Sequence, residues 1–296
     1  MSTPPVRFGP RDIAVAVLMN TLWGLNIIAA KMAVDTIEPL TAAWLRQVVV
    51  LIVCLPFLRL LPGRMRDLLS LGVLTGALFF VAINLSLMVA TNVSALAIAG
   101  QLGVPFSMLL AVFVLKEKIG PWRIFGVALS LLGVGVLVFD PRVADDLLGI
   151  VLMASSSLIW ASSSLIQRRL KGVPILTMYA WISLVGTIML GLIAVTFETD
   201  AVFSLGDVPL ATFGWVAFSG IGSTLIGHGS MTWLLQRHPI SKVTPLTLLA
   251  PVISVIAASL FFSTPITPIM ILGGVIALLG VAVVSIRSGQ AVDEDR

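Results

Sequence analysis

The sequence predicts an all-α integral membrane protein with ten transmembrane helices arranged as two inverted five-helix repeats. Three observations carry that expectation. Of the 296 residues, 58% are hydrophobic and only 11% are charged, with a mean hydropathy of +1.09; soluble domains carry about 25% charged residues. Apolar stretches long enough to cross a bilayer, about 20 residues each, recur almost without pause. The second half of the chain also repeats features of the first. So few charges cannot cover a water-facing surface, which disfavours a soluble enzyme, a disordered chain and a nucleic-acid-binding domain. The single cysteine, Cys54, lies in an apolar run, so no intramolecular disulfide is possible. The first ten residues include Pro4, Pro5 and Pro10, and no short apolar core leads to a small-residue cleavage site. No cleavable signal peptide is expected.

In chain order, the first five spans are expected near 12–31, 38–58, 67–89, 94–115 and 120–139. The second five are expected near 146–167, 173–196, 209–235, 240–262 and 268–287. Turn residues mark the cuts: Glu38-Pro39, Leu61-Pro62-Gly63, Gly120-Pro121, Asp140-Pro141, Gly172-Val173-Pro174, and Pro265 to Pro268. Residues 1–140 and 141–296 then form the two repeats. Gly, Ala and Ser are abundant within the spans, as expected where helices approach closely in lipid.

Orientation follows from the distribution of bases. Fifteen of the eighteen lysines and arginines fall on the side that holds the N-terminus, among them Arg7, Arg59, Arg64, Arg168, Arg169, Lys242 and Arg296. The opposite loops carry Asp35, Glu38, Asp140, Asp145, Asp146, Glu198, Asp200 and Asp207. Both termini are therefore expected in the cytoplasm of a multi-pass inner-membrane protein. The pI near 9.7 reflects orientation signals beside an anionic leaflet, not a nucleic-acid partner.

Self-similarity appears at offsets of 137 to 147 residues. At 147, Gly126 meets Gly273, Pro121 meets Pro268, and Leu131-Leu132-Gly133-Val134 meets Leu278-Leu279-Gly280-Val281. At 137, Trp23 meets Trp160 and Trp44 meets Trp181, while Pro105 has a near-counterpart in Pro251. Five is an odd number of crossings, so the copies sit upside down relative to each other. Such repeats recur in secondary transporters, with the solute bound near the midplane between the halves.

The residues also resemble a known family. A five-helix repeat ending in a proline-containing helix, then Leu115-Lys116-Glu117-Lys118-Ile119-Gly120-Pro121 and a glycine-rich helix, is similar to the EamA-type repeat of the drug/metabolite transporter superfamily. Asn20-Thr21-Leu22-Trp23-Gly24-Leu25-Asn26 resembles that family's first helix, and Trp44-Leu45-Arg46 its second. The second repeat departs from the pattern, with Ser263-Thr264 where the first has Leu-Lys-Glu. Within the superfamily the chain is most similar to the aromatic-amino-acid exporter branch. The resemblance implies efflux of amino acids or related metabolites.

Catalytic chemistry has little to work with. His228 and His238 are the only histidines, and no metal-ligand cluster or nucleophile motif is present. Neither a metal, a cofactor nor an enzymatic activity is expected. Asp145-Asp146 suits a helix start, and the serines at 155–157 and 162–164 suit close packing or a polar path.

Polar residues inside spans are costly and need a partner or a cavity. Asn84, Gln101 and His228, with Trp23, Trp160 and Trp233, are the candidate substrate-binding residues. They offer aromatic walls and a few amide or imidazole groups, a chemistry that suits a zwitterionic or amphipathic solute. The competing roles are interhelical hydrogen bonds for Asn84 and Gln101 and plain packing for the tryptophans. Trp122 and Trp215 read as interfacial anchors.

Pro105, Pro245 and Pro251 each remove a backbone donor within a span, as fixed kinks or as gating points. Arg46, about 10 Å from the outer end of its span, either snorkels toward an external carboxylate such as Glu38 or attracts a substrate carboxylate. Lys31 shares that ambiguity, and Glu117 suits an ion pair at the membrane edge. No Asp or Glu falls in the middle third of any span, which argues against a carboxylate proton relay. The expectation is a carrier that exports small organic solutes, most plausibly amino acids, by alternating access. Drugs or nucleotide-linked solutes on the same fold are the main alternative, and a lipid-modifying enzyme a weaker one. The expected partners are the solute and the lipid bilayer, with no nucleic acid; the sequence leaves the oligomeric state open, a monomer included.

Overall fold

The computed structural model describes residues 8–114, 116, 119–235, 237–238 and 243–294. Arg7, Leu115, Glu117, Lys118, Lys242 and Arg296 lie outside the described residues. Among the described residues the structure is helical throughout, with no strand. Nine helices are long and apolar enough to cross a membrane: α1 (Pro10–Val34), α2 (Pro39–Phe57), α3 (Met65–Val89), α4 (Val93–Phe113), α5 (Pro121–Val138), α6 (Leu147–Arg169), α7 (Ile175–Phe197), α8 (Leu210–Leu235) and, last in the chain, α10 (Pro268–Ile286). Between the last two, α9 (Leu246–Phe262) is shorter. Proline starts α1, α2, α5 and α10, where its missing N–H displaces no helical bond and its fixed φ suits the first turn.

The boundaries match the sequence expectation to within a few residues, with two differences. The ninth helix was expected from residue 240, but its described part opens with a 3-10 segment, Thr244–Leu248. Pro245 sits in that 3-10 segment, directly after the helical Val243; residues 239–242, whose carbonyls a donor there would meet, lie outside the described residues. The stretch between α7 and α8 holds a short helix, Thr199–Phe203, and a 3-10 turn, Leu205–Asp207. Composition alone reads it as a loop.

The contacts between helices have two-fold pseudo-symmetry. α1 packs on α8 and α9, just as α6 packs on α3 and α4. α2 packs on α7 and α8, just as α7 packs on α2 and α3. The pairs α4–α9 and α5–α10 map onto themselves. Exchanging the halves leaves this set unchanged, as inverted repeats require.

The α5–α10 contact shows how sequence sets this packing. A Cβ built on Gly133 would stand 2.3 Å from the Ala277 nitrogen and 2.6 Å from the Gly273 oxygen. One on Gly280 would stand 2.4 Å from the Ser130 nitrogen. Only glycine lets these backbones touch. Between them Ser130 Oγ donates to the Ala277 carbonyl at 3.4 Å, and Ser130 and Ala277 are themselves related by the offset of 147.

Helical irregularities also fall at matching places. α3 contains a π-helical stretch, Gly72–Leu78, and α8 a longer one, Phe218–Gly227. α4 tightens to 3-10 at Gly100–Leu102, just before Pro105, and α9 opens in 3-10 geometry up to Leu248, just before Pro251. Local departures of this kind often mark functional positions in a helix.

Polar ties join the repeats at both ends of the bundle. On the side opposite the N-terminus, the Glu198 carboxylate accepts bonds from the Leu40 and Thr41 amides at 2.9 and 2.7 Å, capping α2. Asp146 accepts from the Thr91 and Asn92 amides at 2.7 and 2.9 Å, capping α4. Thr267 Oγ1 donates to Asp140. Lys31 pairs with Asp35 at 2.8 Å and donates to the Leu87 carbonyl at 2.9 Å, binding the ends of α1 and α3 within the first repeat. At the N-terminal end Arg64 donates to the Arg169 carbonyl, Trp181 Nε1 donates to the Arg59 carbonyl at 2.8 Å, and His238 meets Asp12.

Candidate functional site

The site is built around α8, whose π-helical stretch ends at His228. The His228 ring lies 5.2 Å from Trp23 of α1, 5.6 Å from Tyr179 of α7 and 6.0 Å from Trp160 of α6, centroid to centroid. Phe79 of α3 extends the group, 5.5 Å from Trp160 and 4.9 Å from Phe80. Five helices from both repeats thus bring their rings together. Hydrogen bonds fix two of them: Trp23 Nε1 donates to the Ser223 carbonyl at 3.2 Å, and His228 Nδ1 lies 2.9 Å from the Thr224 carbonyl.

Next to the rings stands Arg46 of α2. Its guanidinium carbon lies 4.0 Å from the Phe80 ring centroid, a cation–π contact. Its Nη2 donates to Thr224 Oγ1 at 2.5 Å, and Thr224 Oγ1 donates to the Ser219 carbonyl at 3.2 Å. Arg46 then faces a small cavity of about 20 Å³, lined also by Asn26, Asn84 and Ser219 among apolar side chains. Ser219 Oγ donates to Asn26 Oδ1 at 2.8 Å, joining α8 to α1. A volume near 20 Å³ holds about one water, so a solute enters only if the helices move apart. At the helix ends opposite the N-terminus lies a wide cleft of about 820 Å³, lined in part by Asp35, Glu38, Glu198 and Asp200.

The structure brings Trp23, Trp160 and His228 into one cluster and puts Asn84 on the adjoining cavity. Two candidates lie elsewhere. Gln101 donates back to the Ala97 carbonyl of its own helix at 3.3 Å. Trp233 stacks under the Arg237 guanidinium at 3.8 Å and packs, as Trp23 does, against the buried Ala16, Met19, Leu234 and Val243, toward the end of α8 and away from the His228 ring. Pro105 and Pro251 lie inside α4 and α9, both of which pack against the first helix of the opposite repeat.

Arg46 turns inward and does not pair with Glu38; among the described residues no carboxylate lies within salt-bridge distance of it. Most serines of α6 bond back to their own helix, while Ser157 reaches the Gly100 carbonyl of α4 at 3.2 Å. These serines are packing residues.

Sequence reasoning missed Asn26, Phe79, Phe80, Tyr179, Ser219 and Thr224. One signal was available for Tyr179, the only tyrosine in a chain rich in phenylalanine. Thr224 sits in a glycine-rich apolar stretch, Gly220 to Gly227, where hydroxyls pass for packing.

The arrangement offers ring faces, amide and hydroxyl groups and one cation, with no acid–base pair or metal-ligand group among the described residues. It is equipped to bind. The profile of the EamA-like transporter family matches residues 11–139 and 147–286. The chain is 24% identical over 282 residues to a probable amino-acid metabolite efflux pump of Escherichia coli strain K12, covering 91% of this chain and 93% of that protein. A protein of the same description from Salmonella typhimurium strain LT2 is 23% identical over 285 residues, covering 91% and 93%. An uncharacterized transporter of Archaeoglobus fulgidus is 27% identical over 277 residues, covering 91% and 97%. A solved crystal structure aligns over 95% of this chain and 99% of its own, at a TM-score of 0.56 and 17% identity, a likeness of fold. With both halves of the chain matched, the protein belongs to the EamA-like transporter family.

Proposed function

We propose that the protein is a secondary carrier that exports amino acids, aromatic or other neutral ones foremost, and related small metabolites. Residues 1–140 and 141–296 act as the two repeats, which move against each other to give alternating access across the inner membrane with both termini in the cytoplasm. The observation that carries this reading is the joint cluster of Trp23, Trp160, Tyr179 and His228, drawn from four helices of both repeats beside a polar cavity. A solute held there touches both halves at once, so movement of one against the other changes the side it faces. The descriptions of the bacterial relatives as amino-acid metabolite efflux pumps point the same way.

No Asp or Glu lies in the middle of a span, so the carrier works without a carboxylate relay. The excess of bases on the N-terminal side supports the cytoplasmic assignment of the termini. The test is counterflow in proteoliposomes that contain the purified protein alone. Vesicles preloaded with single unlabelled amino acids are expected to accumulate external labelled solute against its gradient, saturably and without an imposed proton gradient. No accumulation with any amino acid, on folded and inserted protein, would overturn the reading.

A further inference from the structure

We propose that Arg46 is the carboxylate-binding group of this site, so that the solutes carried are organic acids or amino acids with a free carboxylate and an apolar or aromatic body. This rests on the carrier reading above. Arg46 lies seven residues into α2 from Pro39, about 10 Å from the helix start at 1.5 Å per residue. A charge at that depth is costly unless it has a partner. Elsewhere Lys31 has Asp35 for a counter-charge, and Glu198 and Asp146 are held by the amides of helix starts. Arg46 has a hydroxyl and a ring face, neither of which carries a negative charge.

The geometry leaves the guanidinium prepared for an anion. A guanidinium has five N–H donors in a planar fork that matches a carboxylate, and among the described residues only Nη2 is hydrogen-bonded. Phe80 covers one face of the plane and Thr224 holds one edge, so the group is fixed while its remaining donors stay free beside the cavity. Asn26 and Asn84, on the same cavity, supply amide oxygens suited to an ammonium group. The ring cluster reaches Arg46 through Phe79 and Phe80. Carboxylate at Arg46, ammonium toward the amides and side chain toward Trp160 and His228 is one continuous arrangement.

A phosphate ester would also seek the guanidinium. It carries more charge, however, and among the described residues Arg46 is the only base lining the cavity. That singles out the carboxylate.

The test uses wild-type proteoliposomes preloaded with phenylalanine, 3-phenylpropionate, phenylalaninamide, phenethylamine or phenyl phosphate, read by counterflow of labelled phenylalanine. The two carboxylates are expected to drive exchange at least about tenfold better than the amide and the amine, the loss expected for a charge-assisted bidentate contact. Arg46→Lys is expected to keep weakened exchange with the same preference. In Arg46→Met the advantage of acid over amide is expected to disappear. Thr224→Val, which releases the guanidinium but keeps its charge, is expected to retain the preference, and so guards against a misfolded Arg46→Met.

Equal exchange of acid, amide and amine by the wild type would overturn the assignment of Arg46 while leaving the carrier reading in place. Stronger exchange with phenyl phosphate would overturn it in favour of a phosphorylated solute. No exchange with any of the five, on protein that exchanges another neutral amino acid, would overturn the aromatic-bodied acid as the solute; failure with every amino acid would overturn the carrier reading itself.

Discussion

The carboxylate of Asp12, two residues into α1, stands 3.0 Å from Nε2 of His238 in the connection between α8 and α9. Asp146, at the start of α6, holds the α3–α4 connection in the same way through the Thr91 and Asn92 amides. In each repeat, an acid at the start of the first helix therefore grips the turn between the third and fourth helices of the other. The two ties lie at opposite ends of the bundle, where the alternating access proposed above would need them to open in turn.

Asp12–His238 is the tie at the N-terminal end. The His238 side chain is 2% exposed and packs under Phe8 at 4.2 Å, so losing its partner leaves a buried ring unpaired. A contact worth about 1–2 kcal/mol shifts the open population by a factor of about 5–30. In a Cys54→Ala background, Leu234→Cys reports on this end, because Leu234 is fully buried in the cluster there. Asp12→Asn is expected to raise its labelling by an impermeant maleimide by that factor, and His238→Gln to add little on top. Unchanged labelling in Asp12→Asn would show that the pair is not a closure.

Much of this architecture was legible because the bilayer imposes it. Run lengths and proline starts gave the spans, and the matched Gly126/Gly273 and Gly133/Gly280 of α5 and α10 fall at the close contact of those helices. The site was less legible. Trp23, Trp160 and His228 stood out as costly or bulky groups deep in spans, and they meet. Gln101 stood out for the same reason but satisfies itself within its own turn. Arg46 left two readings open, because helix rise gives depth but not the direction in which a long side chain turns. The π-helical stretches of α3 and α8 had no signal beyond glycine content, since they are set by packing across the halves.

The α5–α10 contact gives a stability test with an internal control. Gly133→Ala would drive a methyl against the Ala277 and Gly273 backbone, whereas Gly135, two residues on, has nothing within 4 Å of the corresponding position. Overpacking of this kind costs about 1–3 kcal/mol. In detergent, Gly133→Ala is expected to lower the thermal midpoint clearly, while Gly135→Ala leaves it near wild type. Equal midpoints would mean that the two helices do not touch as described.

In the proposed carrier His228 is a wall of the site and not its motor. Its ring is the common contact of Trp23, Tyr179 and Trp160, which stand on three other helices. His228→Ala is expected to leave exchange largely intact, with its pH profile unaltered. Trp160→Ala removes the ring that bridges Phe79 and His228, and is expected to raise the half-saturation concentration about tenfold, as a lost stacking contact of about 1–1.5 kcal/mol predicts. Abolished exchange in His228→Ala, together with a lost pH dependence, would instead make the imidazole a proton carrier.

Pro105 and Pro251 are the two gating candidates placed inside helices, each just after a 3-10 segment. Neither can donate to the carbonyl four residues earlier, Gln101 or Thr247, so each helix can bend there with no backbone bond to break. Alanine restores the donor and stiffens the turn. Pro105→Ala and Pro251→Ala are each expected to slow exchange several-fold at saturating solute while leaving the half-saturation concentration near wild type, because the hinge lies outside the ring cluster. The double variant is expected to be slower than either, since the hinges sit in different repeats and both must flex in a cycle. Pro245→Ala, in the 3-10 segment that leads into α9, puts the third gating candidate through the same assay. If all three variants raise the thermal midpoint and none alters turnover, the prolines are fixed kinks and the halves pivot elsewhere.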